Sequence, residues 1–219
     1  EIWNGFMMKR CWRDAGAEIP PWGYAGSPLV DGDRVIVQPA GLAAYDRGTG
    51  KRLWAAGIES PSYASPTLAT LGGRRQAVML NQRSCTGHDP ETGEILWRHE
   101  WRGEQPKAAQ PLAVGDDRLV ISAGYGVGTD AFRVAERRVE PLWTSKRLKS
   151  KFALFVLRDG HLFGLDDGRL ACVRVVDGER AWSGAWYGHG QLLLVGDALL
   201  ISAEAGFVAL VDADPAAFR

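Results

Sequence analysis

The cysteines have no spacing that is typical of a metal or redox site. The 219-residue sequence contains Cys11, Cys85 and Cys172, an odd number with no CxxC pair. Free cysteine is among the residue types that are most often buried. We therefore expect three small buried hydrophobic side chains. A disulfide between Cys85 and Cys172 is the alternative if the compartment is oxidising.

Histidine, glycine and serine patterns do not indicate a catalytic centre either. No HxxxH or His/Asp spacing suggests zinc among His88, His99, His161 and His189. We interpret the four as turn or surface residues, with His189, between two glycines, as the best site candidate. The segment 124–128 (GYGVG) lacks the helix and the Lys-Ser/Thr of a phosphate loop. Ser122 has no GxSxG context, so no catalytic or metal-binding residue is predicted.

Charge and hydrophobicity exclude two classes of partner. Lys and Arg number 26, as do Asp and Glu, and the formal net charge is zero. No overall field would draw such a chain onto nucleic acid. The apolar stretches 192–195 and 198–203 are far shorter than the roughly 18 to 20 residues that span a bilayer. We predict no transmembrane segment, and we expect any targeting signal to lie outside this segment, which begins at Glu1.

Tryptophans recur at the spacing of a structural repeat. They end successive units at separations of 43, 46 and 39 residues, at Trp54, Trp97, Trp143 and Trp182. The phrase D-x-x-T-G-x-x-L-W occurs at 46–54 and 89–97, with a weaker copy at 176–182. Asp and Thr side chains bond nearby backbone amides in tight turns, and glycine adopts positive φ. The phrase therefore predicts a hairpin turn, with positive φ at Gly50 and Gly93, before a closing strand.

Each unit holds further short strands upstream of its tryptophan. Apolar segments flank Gly/Asp turns at 31–33, 115–117, 159–160 and 196–197, and Gly72-Gly73 occupies this place in the second unit. Four antiparallel strands repeating every ~40 to 45 residues are typical of a β-propeller blade. The sequence predicts one all-β propeller domain over 1–219, with about five blades.

The predicted closing strands lie at about 1–3, 52–54, 95–97, 141–143 and 180–182. The last blade is incomplete at Arg219. Two explanations remain open for the ends of the chain. Either the segment was cut from a longer propeller, or Glu1 to Trp3 completes the fifth blade and closes a ring.

These motifs resemble the PQQ-like (quinoprotein-type) propeller repeat proteins, a group that includes the outer-membrane assembly lipoprotein and exported bacterial relatives. The resemblance rests on the two D-x-x-T-G-x-x-L-W phrases and on the segments 22–33, 122–126 and 159–164. It covers nearly the whole chain. It implies a larger propeller of up to eight blades and a periplasmic or otherwise extracytoplasmic location.

The same resemblance raises the question of a cofactor. Quinoprotein dehydrogenases hold PQQ against a disulfide between adjacent cysteines and over a calcium ion bound by Glu and Asn, with an Asp as base. This segment has no adjacent cysteine pair and no evident carboxylate cluster in its loops. We therefore expect neither PQQ nor calcium, and no enzyme activity. The alternative is a PQQ-dependent dehydrogenase-like oxidoreductase whose active-site residues lie on blades absent from this segment.

A binding face follows from the order of strands within a blade. The turns between the first two and the last two strands share one side, and they are stereotyped Asp/Gly hairpins. The opposite side carries aromatic and amide residues, which suit a binding surface: Trp22, Tyr24, Tyr63, Gln110, Tyr125 and His189, with Asn81, Gln82, Phe152 and Glu204. The alternative is that several of these side chains plug the channel or pack between blades, an interpretation that we favour for Phe152. We predict a non-catalytic module for a protein or glycan partner in the bacterial envelope.

Overall fold

The computed structural model describes residues 2–4, 9–13, 21–39, 41–57 and 59–219. All regular elements in these ranges are antiparallel β-strands. Their bounds are β1 Ile2–Asn4, β2 Lys9–Trp12, β3 Leu29–Asp31, β4 Arg34–Val37, β5 Ala43–Asp46, β6 Arg52–Ala55, β7 Thr67–Leu71, β8 Arg74–Leu80, β9 Ser84–His88, β10 Ile95–Glu100, β11 Leu112–Val114, β12 Arg118–Ala123, β13 Gly128–Ala135, β14 Arg138–Ser145, β15 Val156–Arg158, β16 His161–Asp166, β17 Arg169–Arg174, β18 Arg180–Trp186, β19 Gln191–Val195, β20 Ala198–Ser202 and β21 Val208–Asp212.

The strands form consecutive up-and-down sheets. Sheet I is β3 to β6, sheet II β7 to β10, sheet III β11 to β14 and sheet IV β15 to β18; sheet V contains β19 to β21, and β1 pairs with β2. We call the side with the first and third hairpins of each sheet the turn side. The opposite side, with the middle hairpins and the segments that join one sheet to the next, is the connection side. This architecture confirms the predicted fold of propeller blades.

The N-terminal strand does not complete the last sheet. Ile2 pairs with Trp12 and Asn4 with Lys9, so β1 lies beside β2 and not beside β21. Among the described residues no pairing joins β1 to β21, so the structure does not show the ring closure that was the alternative for Glu1 to Trp3. The repeat tryptophan at this end is Trp12, whose ring stacks on Tyr45 at 5.4 Å.

The turns of the repeat phrase are built by local hydrogen bonds. The Asp46 carboxylate accepts bonds from the backbone amides of Gly48 and Thr49, at 3.1 and 2.7 Å. Asp89 accepts the corresponding bonds from Glu91 and Thr92, at 2.9 and 3.1 Å. Gly50 and Gly93 have φ of 73° and 78°, as the turn hypothesis requires. The residues that make the turn are thus within four positions of one another.

The glycine of this turn also seats the tryptophan of the preceding sheet. A Cβ at Gly93 would lie 2.5 Å from Cε3 of Trp54, and one at Gly178 would lie equally close to Trp143. The indole of Trp54 donates to the Pro90 carbonyl at 3.1 Å, and Trp143 donates to Val175 at 2.8 Å. Each of these tryptophans therefore joins its own sheet to the next one. Trp54 and Trp97 are buried, whereas Trp143 and Trp182 are half-buried.

Sheet III lacks this contact between a turn glycine and the tryptophan of the preceding sheet. Its last hairpin turns tightly at Glu136, which has φ of 54°, and carries no Asp-x-x-Thr-Gly phrase. Trp97 donates to the Gln76 side chain of its own sheet and packs edge-on against Phe132 at 5.8 Å. The core of the molecule consists of such layers between successive sheets.

Both described cysteine side chains belong to these buried layers. Cys85 lies on β9 and Cys172 on β17, and both are free thiols. The possible Cys85–Cys172 disulfide is therefore not formed in this structure. Burial raises the pKa of the Cys172 thiol to about 12. The side chain of Cys11 lies outside the described residues.

Candidate ligand-binding cavity

The connection side contains an open cavity of about 680 Å³. This volume falls within the range of roughly 300 to 1,000 Å³ that is typical of small-ligand sites. Ten of its lining residues lie in segments that join successive sheets, Gln191 begins β19, and Tyr125 lies in the β12–β13 turn. The lining residues are Trp22, Ala25, Ser27, Tyr63, Ser65, Pro106, Ala108, Gln110, Tyr125, Phe152, Leu154 and Gln191. None of them belongs to a turn-side hairpin.

The cavity brings together four of the six residues predicted for a binding face. Trp22, Tyr63, Gln110 and Tyr125 line it, although up to 103 residues separate them in sequence. The other two residues, Tyr24 and His189, do not line the cavity. The backbone amide of His189 donates to Glu204 at 2.8 Å, and its ring contacts Phe152 at 5.8 Å.

Aromatic contacts at the cavity form two groups. Trp22 meets Tyr63 edge-on with 5.5 Å between ring centroids. Tyr125 meets Phe152 in the same manner at 6.5 Å. The Phe152 ring also contacts that of His189 at 5.8 Å, and its side chain is 43% exposed, so Phe152 both packs against neighbouring rings and lines the cavity.

Tyr125 occupies a backbone conformation that disfavours its side chain. Tyr125 and Gly126 have φ of 56° and 76°, and the Val127 amide donates to the Gly124 carbonyl at 3.1 Å. Such tight turns favour Asn, Asp or Gly at the first left-handed position, as at Asp159 in the β15–β16 hairpin. A bulky residue there is strained, and strain of this kind concentrates at functional sites.

A buried polar network supports this turn from below. Ser122 and Thr129 hydroxyl oxygens lie 2.9 Å apart, and the Thr129 hydroxyl donates to the Leu148 carbonyl at 2.6 Å. The Ser150 amide donates to the Ser122 oxygen at 3.0 Å. Ser150 takes part through its backbone amide, and these bonds hold the segment around Ser150 against β12.

A buried lysine anchors another wall of the cavity. Lys107 is fully buried, and its ammonium donates to the Gly103 carbonyl at 2.6 Å and lies 5.2 Å from the Trp101 ring. Desolvation lowers the pKa of Lys107 to about 8. Its carbonyl accepts a 2.8 Å bond from the Tyr63 amide, which ties two of the connecting segments together. Sequence analysis missed Lys107, because a lysine in a loop is usually exposed.

Asn81 and Gln82, both expected on the binding face, make hydrogen bonds within the fold. Asn81 is buried, accepts a bond from Gln38 at 2.9 Å and donates to Thr86 at 3.0 Å. The Gln82 side chain donates to the Glu104 and Gln105 carbonyls, at 2.7 and 2.8 Å. Both bonding patterns hold connecting segments in place.

A partly buried charge cluster is centred on Asp130, which does not line the cavity. Asp130 accepts bonds from Arg102 at 2.7 Å and Thr144 at 2.8 Å, and lies 3.3 Å from His99. Burial raises the pKa of Asp130, but these hydrogen bonds outweigh it, and the net pKa is lowered. The cluster joins sheets II and III, which gives it a structural role.

One histidine was misjudged from sequence. His88 is buried, contrary to the expectation of a surface position, and its ring nitrogens lie 2.8 Å from the Thr86 hydroxyl and 3.2 Å from the Gly93 carbonyl. Burial lowers its pKa, which favours the neutral ring. Within the described ranges no three His, Cys, Asp or Glu residues form a group that could hold a metal ion.

The residues in the described part of the chain do not fit the PQQ site of quinoprotein dehydrogenases. The thiols of Cys85 and Cys172 are buried on separate strands, and no carboxylate lines the cavity. That site needs a vicinal disulfide and oxygen ligands for calcium.

The described part of the chain contains no helix that is long and apolar enough to cross a membrane.

Comparisons with known proteins agree on the architecture. BamB from Moraxella catarrhalis superposes with a TM-score of 0.66 at 18% identity, over 90% of this chain and 63% of that one. The quinohemoprotein alcohol dehydrogenase from Comamonas testosteroni superposes at 0.61, with 12% identity over 87% and 41% of the two chains. A europium-containing methanol dehydrogenase superposes at 0.63, with 14% identity over 90% and 50%.

The chain thus spans less than two thirds of the length of these structures. At such identities the similarity establishes the fold alone. No curated protein matches the sequence. The family model for the outer membrane protein assembly factor BamB matches residues 14–184. The chain therefore belongs to the BamB-like family of PQQ-like β-propeller proteins.

Proposed function

We propose that this propeller is a non-catalytic binding module that holds a protein or glycan partner at the cavity on its connection side. The supporting observation is the exposure of large aromatic side chains there. Trp22 is 72% exposed and Tyr125 is 44% exposed. Aromatic rings supply rigid contact area at low conformational cost, and amides such as Gln110 orient a ligand by hydrogen bonds.

Folding stability does not account for these side chains. An exposed ring gains little from burial on folding, and Tyr125 carries the cost of a left-handed backbone. The scaffold beneath it is nevertheless well ordered by the Ser122–Thr129–Ser150 network. A strained, exposed residue on a rigid support is the arrangement expected of a preorganised binding site.

Family membership supports the location in this proposal. The family description refers to an outer membrane protein assembly factor, and we extend from it an extracytoplasmic location in the bacterial envelope. The binding that we propose requires neither PQQ nor calcium. Similarity to the two dehydrogenases extends only to the fold.

Capture experiments with variants of the two sides test the proposal. The chain is immobilised, cross-linked to partners from a bacterial envelope extract, and separately applied to a glycan array. The connection-side variant is Trp22→Ala with Tyr125→Asn. The turn-side control is Asp116→Asn with Asp197→Asn, both at exposed hairpin positions.

We expect the connection-side variant to lose at least about tenfold in captured partner while its thermal midpoint stays within a few degrees of wild type. The control should bind like wild type. Loss of binding in the control alone would assign the partner to the turn side. Unchanged binding in both variants would refute a role for the cavity.

A further inference from the structure

A lysine that sequence analysis missed lies beside the cavity. The ammonium of Lys151 lies 4.2 Å from the ring centroid of Tyr125 and 5.2 Å from that of Phe152. Both rings line the cavity. No hydrogen bond or ion pair engages this ammonium within the part of the chain that the structure describes. It is a half-buried cation that rests on aromatic faces without a counter-charge.

The backbone around Lys151 holds this side chain in position. A Cβ at Gly124 would lie 2.6 Å from both Cβ and Cγ of Lys151, so only glycine allows the lysine stem to approach so closely. The preceding residue, Ser150, is tied by its amide to Ser122. The tight turn then places Tyr125 under the ammonium. The position of the charge is therefore set by three separate features of the fold.

The lining complements this cation with neutral polar groups. Among the described residues that line the cavity, none is acidic or basic, and the Gln110 amide makes no hydrogen bond within the described ranges. Its oxygen can accept a bond and its nitrogen can donate two. Aromatic faces, a free amide and a single ammonium are therefore available to one ligand.

From this arrangement we propose that the cavity binds an acidic saccharide, with its sugar rings against the aromatic side chains and its carboxylate at Lys151. Sugar hydroxyls both donate and accept hydrogen bonds, which matches the Gln110 amide. The apolar faces of a sugar ring match Trp22 and Tyr125. The inference rests on the proposed function of the cavity and specifies the ligand for it.

An acidic peptide fits the same features less well. Peptides are often captured by strand addition, which requires an exposed sheet edge with unpaired backbone groups. This cavity is lined almost entirely by side chains of connecting segments. An anionic partner that needs many cations would be recognised by clustered basic residues. Beside the described lining, the Lys107 ammonium is bonded to the Gly103 carbonyl, and Lys151 offers one ammonium without a hydrogen bond or ion pair.

Calorimetric titration with trigalacturonate and with its fully methyl-esterified form isolates the role of charge, because the two saccharides differ at the carboxylates. Triglutamate serves as the peptide probe. The variants are Lys151→Gln, which removes the charge, and Lys151→Arg, which keeps it. Lys51→Gln, at an exposed turn-side lysine, is the matched control.

We expect wild type to bind trigalacturonate about fivefold to tenfold more tightly than its ester, and this preference to fall as salt is raised. Lys151→Gln should bind both saccharides equally, while Lys151→Arg and Lys51→Gln should keep the preference. Retained binding of the ester shows that a variant is folded.

Equal affinity of wild type for acid and ester would overturn the role of Lys151 and leave the cavity as a binding site. Tighter binding of triglutamate, lost in Lys151→Gln, would overturn the saccharide assignment in favour of a peptide. Failure of all three probes would also overturn it. The proposed function is judged separately, by the capture experiment with the Trp22 and Tyr125 variant.

Discussion

Residues with positive φ occur on both the turn side and the connection side of this propeller, but they have different roles on the two sides. On the turn side, Gly93 adopts positive φ and receives the ring of Trp54, so that one residue serves both the hairpin and the contact between sheets. On the connection side, Tyr125 adopts positive φ at a cost, and its ring remains exposed at a cavity. Gly93 and Tyr125 therefore share a left-handed backbone conformation, but only at Gly93 does this conformation stabilise the fold.

The largest loss of stability is expected for substitutions in the buried layers between successive sheets. Trp97→Ala removes a buried indole that contacts Phe132, and should lower the free energy of unfolding by about 3 to 5 kcal/mol. Trp22→Ala, at the exposed cavity, should change it by about 0.5 kcal/mol or less. Chemical denaturation measures both. Similar losses in the two variants would remove the distinction between the sides.

The close contact between Gly93 and the Trp54 ring predicts the next largest loss of stability. Gly93→Ala places a Cβ 2.5 Å from Trp54 in addition to its strained φ, and should cost about 3 kcal/mol of unfolding free energy. Gly115→Ala is the matched control, because it has φ of 63° and open space around the added methyl; about 1 to 2 kcal/mol is expected. If denaturation midpoints shift equally, the close approach of the indole contributes nothing.

The buried Lys107 predicts a pH dependence for the connection side. Its pKa is about 8 in the folded chain and about 10.4 in unfolded chains, so between these values the unfolded state holds more protons. Stability should therefore rise with pH from 8 to about 10.4, on the order of 1 to 3 kcal/mol relative to Lys107→Met. Denaturation of both proteins across this range measures the difference, and a constant difference would contradict the lowered pKa.

Substitution of Tyr125 should change the stability of the fold only slightly, and in the opposite direction to the substitutions of Trp97 and Gly93. Asn tolerates the left-handed conformation, so Tyr125→Asn should leave the unfolding free energy unchanged or raise it by about 0.5 to 1 kcal/mol. Binding at the cavity should weaken at the same time. Thermal unfolding with partner capture gives both quantities. A clear loss of stability would identify Tyr125 as a structural residue.

Much of the fold was predictable because its signals are local. Asp46, Thr49 and Gly50 make their turn within five residues, and the recurrence of tryptophan at separations of 43, 46 and 39 residues indicated the blade spacing. Trp12 was missed because no D-x-x-T-G phrase precedes it. The shared pattern of Lys-Arg-x-Trp at 9–12 and 51–54 could have identified it.

The cavity was predictable only in part. Aromatic residues on one side of the blades indicated Trp22, Tyr63 and Tyr125, since strand order alone assigns loops to a side. Lys151 gave no sequence signal, because its contact with Tyr125 joins segments 26 residues apart. Phe152 was expected to pack, and its ring contacts with Tyr125 and His189 leave it partly exposed at the same cavity.

The sequence by itself determined the repeated strands, the hairpin turns and the family, since hydrogen bonds between residues a few positions apart suffice for them. Only the tertiary structure decided which side chains meet at the cavity and where the Lys151 ammonium lies. These contacts depend on how successive sheets pack, through seats such as that of Trp54 on Gly93. Such packing sums many weak interactions across distant segments, and no short motif encodes it.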